Sequence, residues 1–382
     1  TTGLLDELTF LGVVVLADPV REGVAEAISG VQEAGARVVL VTGDNPETAL
    51  SIARAVGIAS ADSVALTGSE LERMSDEELL DVLHNVSVFA RVLPKQKMRL
   101  AEVLQAAGEM VAMTGDGIND APALRRANIG VALGSGTAVA KEASDLVLVN
   151  DTFATIYAAI EEGRRIIGNL RKIVGYLLST NFSEIILIGS ALFVGAPPPI
   201  LPVQILWANI IEEGLMSVAF AFERGDKNDM RRRPQDIHRR GVLSRSMLSF
   251  IAFVVLVLST LTLALYFYIL SLDLPIETVR SIMFLSVAMD SLFIAFAYRS
   301  LSTPLWRVPI KDNLFFFWSF LISVVLLVGA LLTPFMRNVL SYEPVAWPYI
   351  VLVISFSVVA LITVEVAKWI FFERRKRQQT AA

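Results

Sequence analysis

Six long apolar runs in the second half of the chain limit the folds that it can adopt. Each run is about 20 residues long, the length that a helix needs to cross the hydrocarbon core of a bilayer. Hydrophobic residues make up 54% of the 382 residues, more than an ordinary water-soluble domain contains. Backbone groups inside a bilayer must bond to one another, which favours helices. We therefore predict an all-α membrane domain over 173–371, with six helices at about 173–194, 200–222, 247–270, 279–298, 314–334 and 347–371.

Basic residues are concentrated in alternate loops between these runs. They lie within 164–172, 227–245, 299–311 and 374–377, whereas the other loops carry only Arg337. Cytoplasmic loops of membrane proteins hold the excess of Lys and Arg. A charge run is often only a solvated surface, but the agreement across every loop favours a topological cause. We expect a multi-pass protein of the cell membrane, with residues 1–172 and a basic tail at 372–382 in the cytoplasm.

Residues 1–152 have a different pattern, in which short apolar runs alternate with amphipathic segments of helix length. The runs that we assign to strands are 10–16, 37–42, 86–90, 110–114, 129–133 and 146–149. Strands separated by helix-length segments pair in parallel through crossover helices. The pattern predicts a doubly wound α/β domain, which a charged helical stalk at 153–172 would join to the membrane domain.

The composition excludes several kinds of site. The chain has no Cys, so disulfides, thiol catalysis and Cys-ligated metals are impossible. It has only two His, so a histidine-rich metal site is unavailable. The formal net charge of −5 is opposite in sign to the basic surface of a nucleic-acid-binding protein. We expect no nucleic-acid partner.

The segment from Thr114 to Leu124 reads TGDGINDAPAL and follows a strand-like run. Glycines directly after a strand let backbone amides approach an anion closely. The carboxylates of Asp116 and Asp120 can hold a hard cation such as Mg²⁺. In a doubly wound fold, ligands bind at the carboxyl ends of the strands, where this segment is predicted to lie.

Two earlier segments supply matching chemistry. Thr42-Gly43-Asp44 also follows a predicted strand, and Lys97 begins a predicted helix. A hydroxyl, backbone amides and an ammonium group can position a phosphoryl group and neutralise its charge, which is what phosphoryl transfer mainly requires. Any one of these residues could instead be an ordinary helix cap or surface group. The ordered set predicts a phosphoryl-transfer site.

Acidic residues stand in the middle of two predicted membrane helices. Glu184 lies in the first helix, and Glu212 and Glu213 lie in the second. A charged residue at mid-bilayer costs about 2.5–3.5 kcal/mol on insertion scales, so such groups usually face an ion or water. Hydrogen bonds between protonated acids are the structural alternative. We predict a cation site built from these carboxylates and the nearby amides Asn181 and Asn209.

Asp290 in the fourth predicted helix is a further candidate for the cation site. It could equally be a residue that faces a neighbouring helix.

Several motifs, in order along the chain, resemble those of the P-type cation-transporting ATPases, most of all the calcium-pump-like subgroup. They are Asp18-Pro-Val-Arg21, Thr42-Gly-Asp-Asn45, Ala90-Arg-Val-Leu-Pro94 with Lys97, the Thr114–Leu124 segment, Gly134-Ser-Gly-Thr-Ala-Val-Ala-Lys141 and, in the membrane, Asn181, Glu184, Pro202-Val-Gln-Ile-Leu-Trp207 and Asn209. The resemblance covers essentially the whole chain and is specific up to about residue 225. Beyond that point only the topology is similar.

The resemblance implies a haloacid dehalogenase-like phosphorylation domain that uses ATP and Mg²⁺. The site residues that it implies are Asp116 for Mg²⁺, Thr42 and Lys97 for the phosphoryl group, Asn119 and Asp120 as support, and Gly43, Asp44 and Arg91 near the nucleotide. Asp18 and Arg21 would belong to a hinge region.

In the membrane, the resemblance implies that Asn181, Glu184, Asn209 and Glu213 are ligands of a transported cation, with calcium as the first candidate. Glu213 replaces the Asp that is usual in calcium pumps, and Glu212 replaces a Thr. The additional methylene and carboxylate leave a proton, sodium or another divalent cation as alternatives.

The chain also departs from the family. The nucleophile of these pumps is the Asp of a DKTGT motif, which this sequence does not contain. The nucleotide-binding domain, the actuator domain and the first four membrane spans of the family are likewise absent. We interpret the chain as the carboxyl-terminal part of a pump that couples ATP hydrolysis, through an aspartyl-phosphate, to cation transport. The alternatives are a truncated regulatory or assembly partner of an intact pump and a membrane-tethered phosphatase domain, which the missing nucleophile disfavours.

Overall fold

The computed structural model describes residues 9, 11–12, 14, 19–225, 230, 242–301, 303–369 and 371. Within them the chain forms two compact units, which divide after residue 160. Some sequence predictions lie outside the described residues. These are most of the strand at 10–16, Asp18, the basic residues at 227, 231–233, 239 and 240, and the tail at 372–382.

The first unit alternates short strands with helices. Its strands are β1 (Leu40–Val41), β2 (Ala65–Thr67), β3 (Val88–Ala90), β4 (Ala112–Gly115), β5 (Ile129–Leu133) and β6 (Leu146–Leu148). Its helices are α1 (Val24–Glu33), α2 (Pro46–Ala55), α3 (Gly68–Arg73), α4 (Asp76–Asn85), α5 (Pro94–Ala106), α6 (Ala121–Arg126) and α7 (Ala138–Ala143).

The described strands pair in two parallel sheets of three, in the orders β1-β3-β2 and β4-β5-β6. Val88 is the common partner of Leu40 and Ala65 in the first sheet, and Ala112 pairs with Ile129 in the second. The predicted parallel α/β architecture is confirmed. The strand β2 was not predicted, because three residues are too few to show a strand period.

Local sequence signals explain where several helices begin. The Asn45 side chain accepts a hydrogen bond from the Thr48 N–H at 2.8 Å, and Pro46 occupies the first turn of α2. Ser75 and Glu78 form a capping box at the start of α4. These side chains satisfy backbone N–H groups that a helix leaves unpaired at its start.

From Ala154 onward the described chain folds into helices of 6 to 40 residues. They are α8 (Ala154–Phe193), α9 (Pro202–Trp207), a π-helix (Ala208–Glu213), α10 (Gly214–Phe220), α11 (Arg245–Leu270), α12 (Ile276–Tyr298), α13 (Leu314–Leu332), α14 (Pro334–Leu340) and α15 (Trp347–Lys368). Two short 3₁₀ turns, Leu305–Arg307 and Ile310–Asp312, precede α13.

Six segments of the described chain are long and apolar enough to cross a membrane, which confirms the predicted all-α membrane region. The stalk and the first predicted span form one helix of 40 residues, α8. In α12, 83% of the most apolar stretch is buried, against 28–39% in the other spans. The helix α12 therefore lies at the centre of this unit.

Close packing around Gly175 joins three of these helices. A Cβ atom at this position would lie 2.3 Å from the Met247 methyl group and 2.8 Å from the Tyr298 ring. The Tyr298 ring is fully buried, and its hydroxyl is 2.6 Å from Ser179 Oγ. The absence of a side chain at Gly175 lets α8 approach α11 and α12 here.

The loop between α8 and α9 contains three consecutive prolines, which have no N–H to donate. Its carbonyl groups accept hydrogen bonds from other helices instead. The Tyr266 hydroxyl donates to the Pro197 carbonyl at 2.5 Å, and Arg280 Nε donates to the Pro198 carbonyl at 3.2 Å. Close to this loop, the buried Gln204 amide donates to the Leu340 carbonyl at 2.9 Å. The hairpin that α8 and α9 form is therefore bonded, at its proline loop, to α11, α12 and α14.

A buried ion pair lies at the other end of α12. Arg299 Nε and Glu223 Oε1 are 2.8 Å apart, and both side chains are almost fully buried. The Arg299 guanidinium also lies 5.0 Å from the centre of the Phe316 ring. Removing one partner of such a pair usually costs about 3–5 kcal/mol, because it leaves a buried charge without a counter-charge.

Replacing Gly175 with Ala should destabilise the second unit by about 1–3 kcal/mol, because the added methyl group overpacks the contact with Tyr298. Thermal unfolding of the protein in detergent measures the change. Gly189→Ala, on the same helix, is the matched control, since its added Cβ would have no described atom within 4 Å. The control should leave stability unchanged or raise it by up to about 1 kcal/mol, as expected when a helical Gly becomes Ala. Equal effects of both substitutions would contradict the tight crossing at Gly175.

Candidate functional site

The loop that follows β4 depends on glycines. A Cβ at Gly115 would lie 2.5 Å from the Cβ of Asp120, and a Cβ at Gly136 would lie 3.1 Å from the Cα of Asp116. The Thr137 N–H donates to the Asp116 carbonyl at 2.9 Å, which joins this loop to the segment after β5. The Asp116 side chain is exposed at the carboxyl end of β4.

The Asp120 carboxylate is held by two groups of the same unit. Lys97 Nζ, on α5, lies 2.6 Å from Asp120 Oδ1, and the Gly117 N–H donates to Oδ2 at 3.3 Å. Lys97 and Asp120 are mostly buried, with 17% and 15% of their side chains exposed. The structure therefore brings together two residues that are 23 positions apart in the sequence. Asp116 and Asn119 remain exposed beside them.

Thr42 and Asp44 form a compact turn at the end of β1. The Thr42 hydroxyl donates to Asp44 Oδ2 at 2.9 Å and accepts from the Asp44 N–H at 3.1 Å. The Arg91 N–H donates to the Asp44 carbonyl at 2.9 Å, and Arg91 has a positive φ of 50°. The turn after β1 is thus fixed to the turn after β3, with Gly43 exposed between its neighbours.

The residues of this site fit Mg²⁺. Mg²⁺ is usually bound through one or two carboxylates together with water and substrate phosphates. Asp116 offers an exposed carboxylate directly after a strand, whereas the Asp120 oxygens are already bonded to Lys97 and to the Gly117 amide. Asp116 is therefore the residue of this loop that is best placed to hold the metal, which would neutralise phosphoryl charge when bound.

In the second unit, the Glu213 carboxylate joins three helices. Asn181 Nδ2, on α8, donates to Glu213 Oε2 at 2.8 Å, and Ser291 Oγ, on α12, donates to Oε1 at 3.2 Å. Glu213 itself lies at the end of the π-helix and is 1% exposed. Both of its oxygens are thus bonded to groups on other helices.

Glu212 has a different environment, although it is the adjacent residue. Its side chain is fully buried, and Oε1 accepts a hydrogen bond from Trp207 Nε1 at 3.1 Å. Among the described residues, Glu212 Oε2, Asn209 Oδ1 and Glu184 Oε1 are buried oxygens without a hydrogen-bond partner. A buried polar atom without a partner costs about 1–3 kcal/mol. These three oxygens are therefore suited to a cation, a proton or water.

A cavity of about 10 Å³ lies beside Glu184 and Asp290. Such a volume holds about one water molecule. Its polar lining includes Thr180, Ser183, Thr262 and Ser291. Asp290 is buried, and its Oδ1 accepts a hydrogen bond from Ser357 Oγ, on α15, at 2.5 Å.

The carboxylates of this unit do not form a closed metal cage. In the part of the chain that the structure describes, no three Asp, Glu or His side chains are close enough to enclose a metal ion. A cation bound here would need neutral oxygens as well, such as those of the amide and hydroxyl groups around Glu184 and Glu213.

Sequence reasoning missed three residues that contact the candidate ligands: Trp207, Ser291 and Ser357. Ser291 directly follows Asp290, so its position beside a mid-span acid was a usable signal. Ser357 is one of several serines in apolar helices, and nothing in the sequence distinguishes it. The contact of Trp207 depends on the π-helix, which hydropathy does not reveal.

Comparisons with known proteins match both parts of the chain. Residues 197–370 match the family model described as Cation transporting ATPase, C-terminus. Residues 2–128 and 97–160 match two models described as haloacid dehalogenase-like hydrolase.

Curated relatives are similar over much of the chain. Calcium-transporting ATPase 1 of Bacillus cereus is 34% identical over 96% of the chain and 43% of its own length. The calcium-transporting ATPase of Bacillus subtilis is 44% identical over 63% of the chain and 27% of its own length. An endoplasmic reticulum-type calcium-transporting ATPase 3 of Arabidopsis thaliana is 44% identical over 61% of the chain and 24% of its own length. The chain thus spans less than half the length of these relatives.

Two ion pairs between α5 and the α6 region allow a matched test of the Lys97 contact. Lys97→Met should lower the local stability of this region by about 1–3 kcal/mol, because it leaves the mostly buried Asp120 without its charged partner. Arg126→Met removes the pair with Glu102, in which 57% and 45% of the side chains are exposed, and should cost less than about 1 kcal/mol. Amide hydrogen exchange in α5 and α6 measures both changes. An equal loss in both variants would contradict the special role of Lys97.

Proposed function

Because the chain belongs to the P-type cation-transporting ATPases, we propose that it forms part of an ATP-driven pump that moves a cation across a membrane. The observation that supports this proposal most is the group of buried oxygens around Glu184, Glu212 and Glu213 in a unit of membrane-spanning helices. Burying such groups is costly in a bilayer and is usual where an ion passes.

The first unit would supply part of the phosphorylation site. Asp116 would hold Mg²⁺, the turn of Thr42, Gly43 and Asp44 would receive the phosphoryl group and nucleotide together with Arg91, and Lys97 would counter their negative charge. Asn119 would add a polar contact, while Asp120 keeps Lys97 in place through the 2.6 Å ion pair. Preorganised charges of this kind need no rearrangement during phosphoryl transfer.

The nucleophile would come from a segment that this chain does not contain, since the sequence has no DKTGT motif. Such a segment could pair with an edge of either described sheet of the first unit. Both β1 and β4 are edge strands of their described sheets. A strand that paired at either edge would end beside the Thr42 turn or the Asp116 loop, because parallel strands place their carboxyl ends together.

We propose Ca²⁺ as the transported cation, because of the names of the relatives and the chemistry of the candidate ligands. Relatives named as calcium-transporting favour Ca²⁺, and oxygen ligands suit it. The two adjacent carboxylates, Glu212 and Glu213, leave a proton, sodium or another divalent cation as alternatives. In the bilayer, residues 1–172 and the carboxyl terminus would lie on the cytoplasmic side of the cell membrane, in keeping with the distribution of basic residues.

A non-catalytic role is the second candidate, favoured only by the missing DKTGT motif. The chain would then regulate or assemble with an intact pump. The coding sequence upstream of Thr1 distinguishes the two, since an in-frame DKTGT segment supports the pump and a start codon directly before Thr1 supports the partner.

We expect Ca²⁺ to stimulate formation of an acid-stable phosphoenzyme from labelled ATP in the full-length protein that contains this chain. Glu184→Gln combined with Glu213→Gln should raise the half-saturating Ca²⁺ concentration about 100-fold, because two charge-assisted contacts worth on the order of 1.5 kcal/mol each are lost. Mn²⁺, Na⁺, K⁺ and proton concentration are varied in the same assay.

The matched control is Glu277→Gln, which removes an exposed acid at the start of α12 and should leave the Ca²⁺ dependence unchanged. An unchanged dependence in the double variant would refute the membrane site, whereas stimulation by another cation would reassign the ion.

A further inference from the structure

The π-helix places Trp207 and Glu212 side by side. In a π-helix the backbone bonds join residues five positions apart, and such turns are frequent at functional sites. In an α-helix the residues that face each other are three or four positions apart. Trp207 and Glu212 are five apart, and their side chains meet at 3.1 Å between Nε1 and Oε1. The contact is therefore a product of the wide turn at Ala208–Glu213.

A neighbouring helix supports this turn. Ser323, on α13, is fully buried, and its Oγ donates to the Ile211 carbonyl at 3.2 Å. A helical serine can bond to a carbonyl of its own helix, as Ser355 does to Val351, so the bond of Ser323 to Ile211 is a link between two helices. The backbone between Trp207 and Glu212 is thus held from outside the helix as well as from within it.

The two adjacent carboxylates differ in what holds them. Glu213 is bonded to Asn181 and Ser291 on other helices. Glu212 is bonded through one oxygen to Trp207 in its own helical segment, and its other oxygen is buried without a partner among the described residues. Trp207 therefore restrains Glu212 Oε1, whereas Glu212 Oε2 could still bind a cation.

We propose that Trp207 is a positioning residue that limits cation affinity by holding one oxygen of Glu212 away from the ion. The inference rests on the proposed function, in which Glu212 belongs to the cation site. Release of the indole contact frees both Glu212 oxygens for the cation. Trp207, which restrains the Glu212 carboxylate, then sets the affinity of the pump for its cation.

Trp207→Phe tests the proposal, because it keeps an aromatic ring and removes the N–H donor. In the full-length protein, the half-saturating Ca²⁺ concentration for phosphoenzyme formation should fall about tenfold, the size expected when a hydrogen bond to a charged group no longer competes with the ion. The maximal phosphoenzyme level should stay within twofold of the wild type. A constant or increased half-saturating concentration overturns the proposal.

Two further variants separate this effect from a general loss of packing. Trp318→Phe, on α13, changes a tryptophan that is 56% exposed, and it should not alter the Ca²⁺ dependence. In a Glu212→Gln background, Trp207→Phe should shift the dependence by less than twofold, because no carboxylate is left to release. A tenfold shift in that background overturns the proposal.

A fluorescence measurement tests the contact without any transport activity. The emission of Trp207 is obtained by subtracting the spectrum of Trp207→Phe from that of the wild type. The same subtraction is then made between the Glu212→Gln protein and the protein that carries both substitutions. The subtracted spectrum should shift when the carboxylate becomes an amide, and identical spectra overturn the proposal. A wild-type protein without Ca²⁺-stimulated phosphoenzyme would refute calcium as the ion and leave this spectral test as the deciding one.

Discussion

The cost of placing carboxylates among membrane helices governs the second unit. A charged group at mid-bilayer costs about 2.5–3.5 kcal/mol, and Glu184, Glu212, Glu213 and Asp290 are all buried in spanning helices. Three of these acids accept hydrogen bonds from polar side chains. The donors are Ser291 and Asn181 for Glu213, Ser357 for Asp290, and Trp207 for Glu212. Polar contacts therefore link α8, α12 and α15 around the π-helix, within a bundle whose other contacts are mostly apolar.

The two candidate sites handle charge in opposite ways. In the first unit the Asp116 carboxylate is open to water, and the Lys97 ammonium is balanced by the Asp120 carboxylate. In the second unit the acids are buried among helices, and the oxygens that have no partner among the described residues are destabilising until an ion, a proton or water reaches them. The pump proposed above would need both kinds of site, one open to a soluble nucleotide and one closed around an ion.

The sequence predicted much of this architecture, and the failures have physical causes. Hydropathy located all six spans among the described residues, because a bilayer imposes both a length and an apolar composition on a helix. The bounds of β5 were also predicted, since a buried parallel strand appears as a continuous apolar run. The pairing of Lys97 with Asp120 could not be predicted, because it depends on how α5 packs beside the loop after β4. The π-helix was missed as well, since an extra residue in one turn leaves the hydropathy of a span unchanged.

The proline loop between α8 and α9 has a mechanical consequence. Tyr266, Arg280 and Gln204 bond to the backbone at and near this loop, so the hairpin is fastened at the end that carries the prolines. The hairpin is also joined at its far end, because Asn169 Nδ2 on α8 donates to the Ala221 and Glu223 carbonyls at 3.1 and 2.8 Å. With both ends joined and Asn181 bonded to Glu213 between them, a movement of one helix along its axis would be passed to the other rather than taken up by their separation.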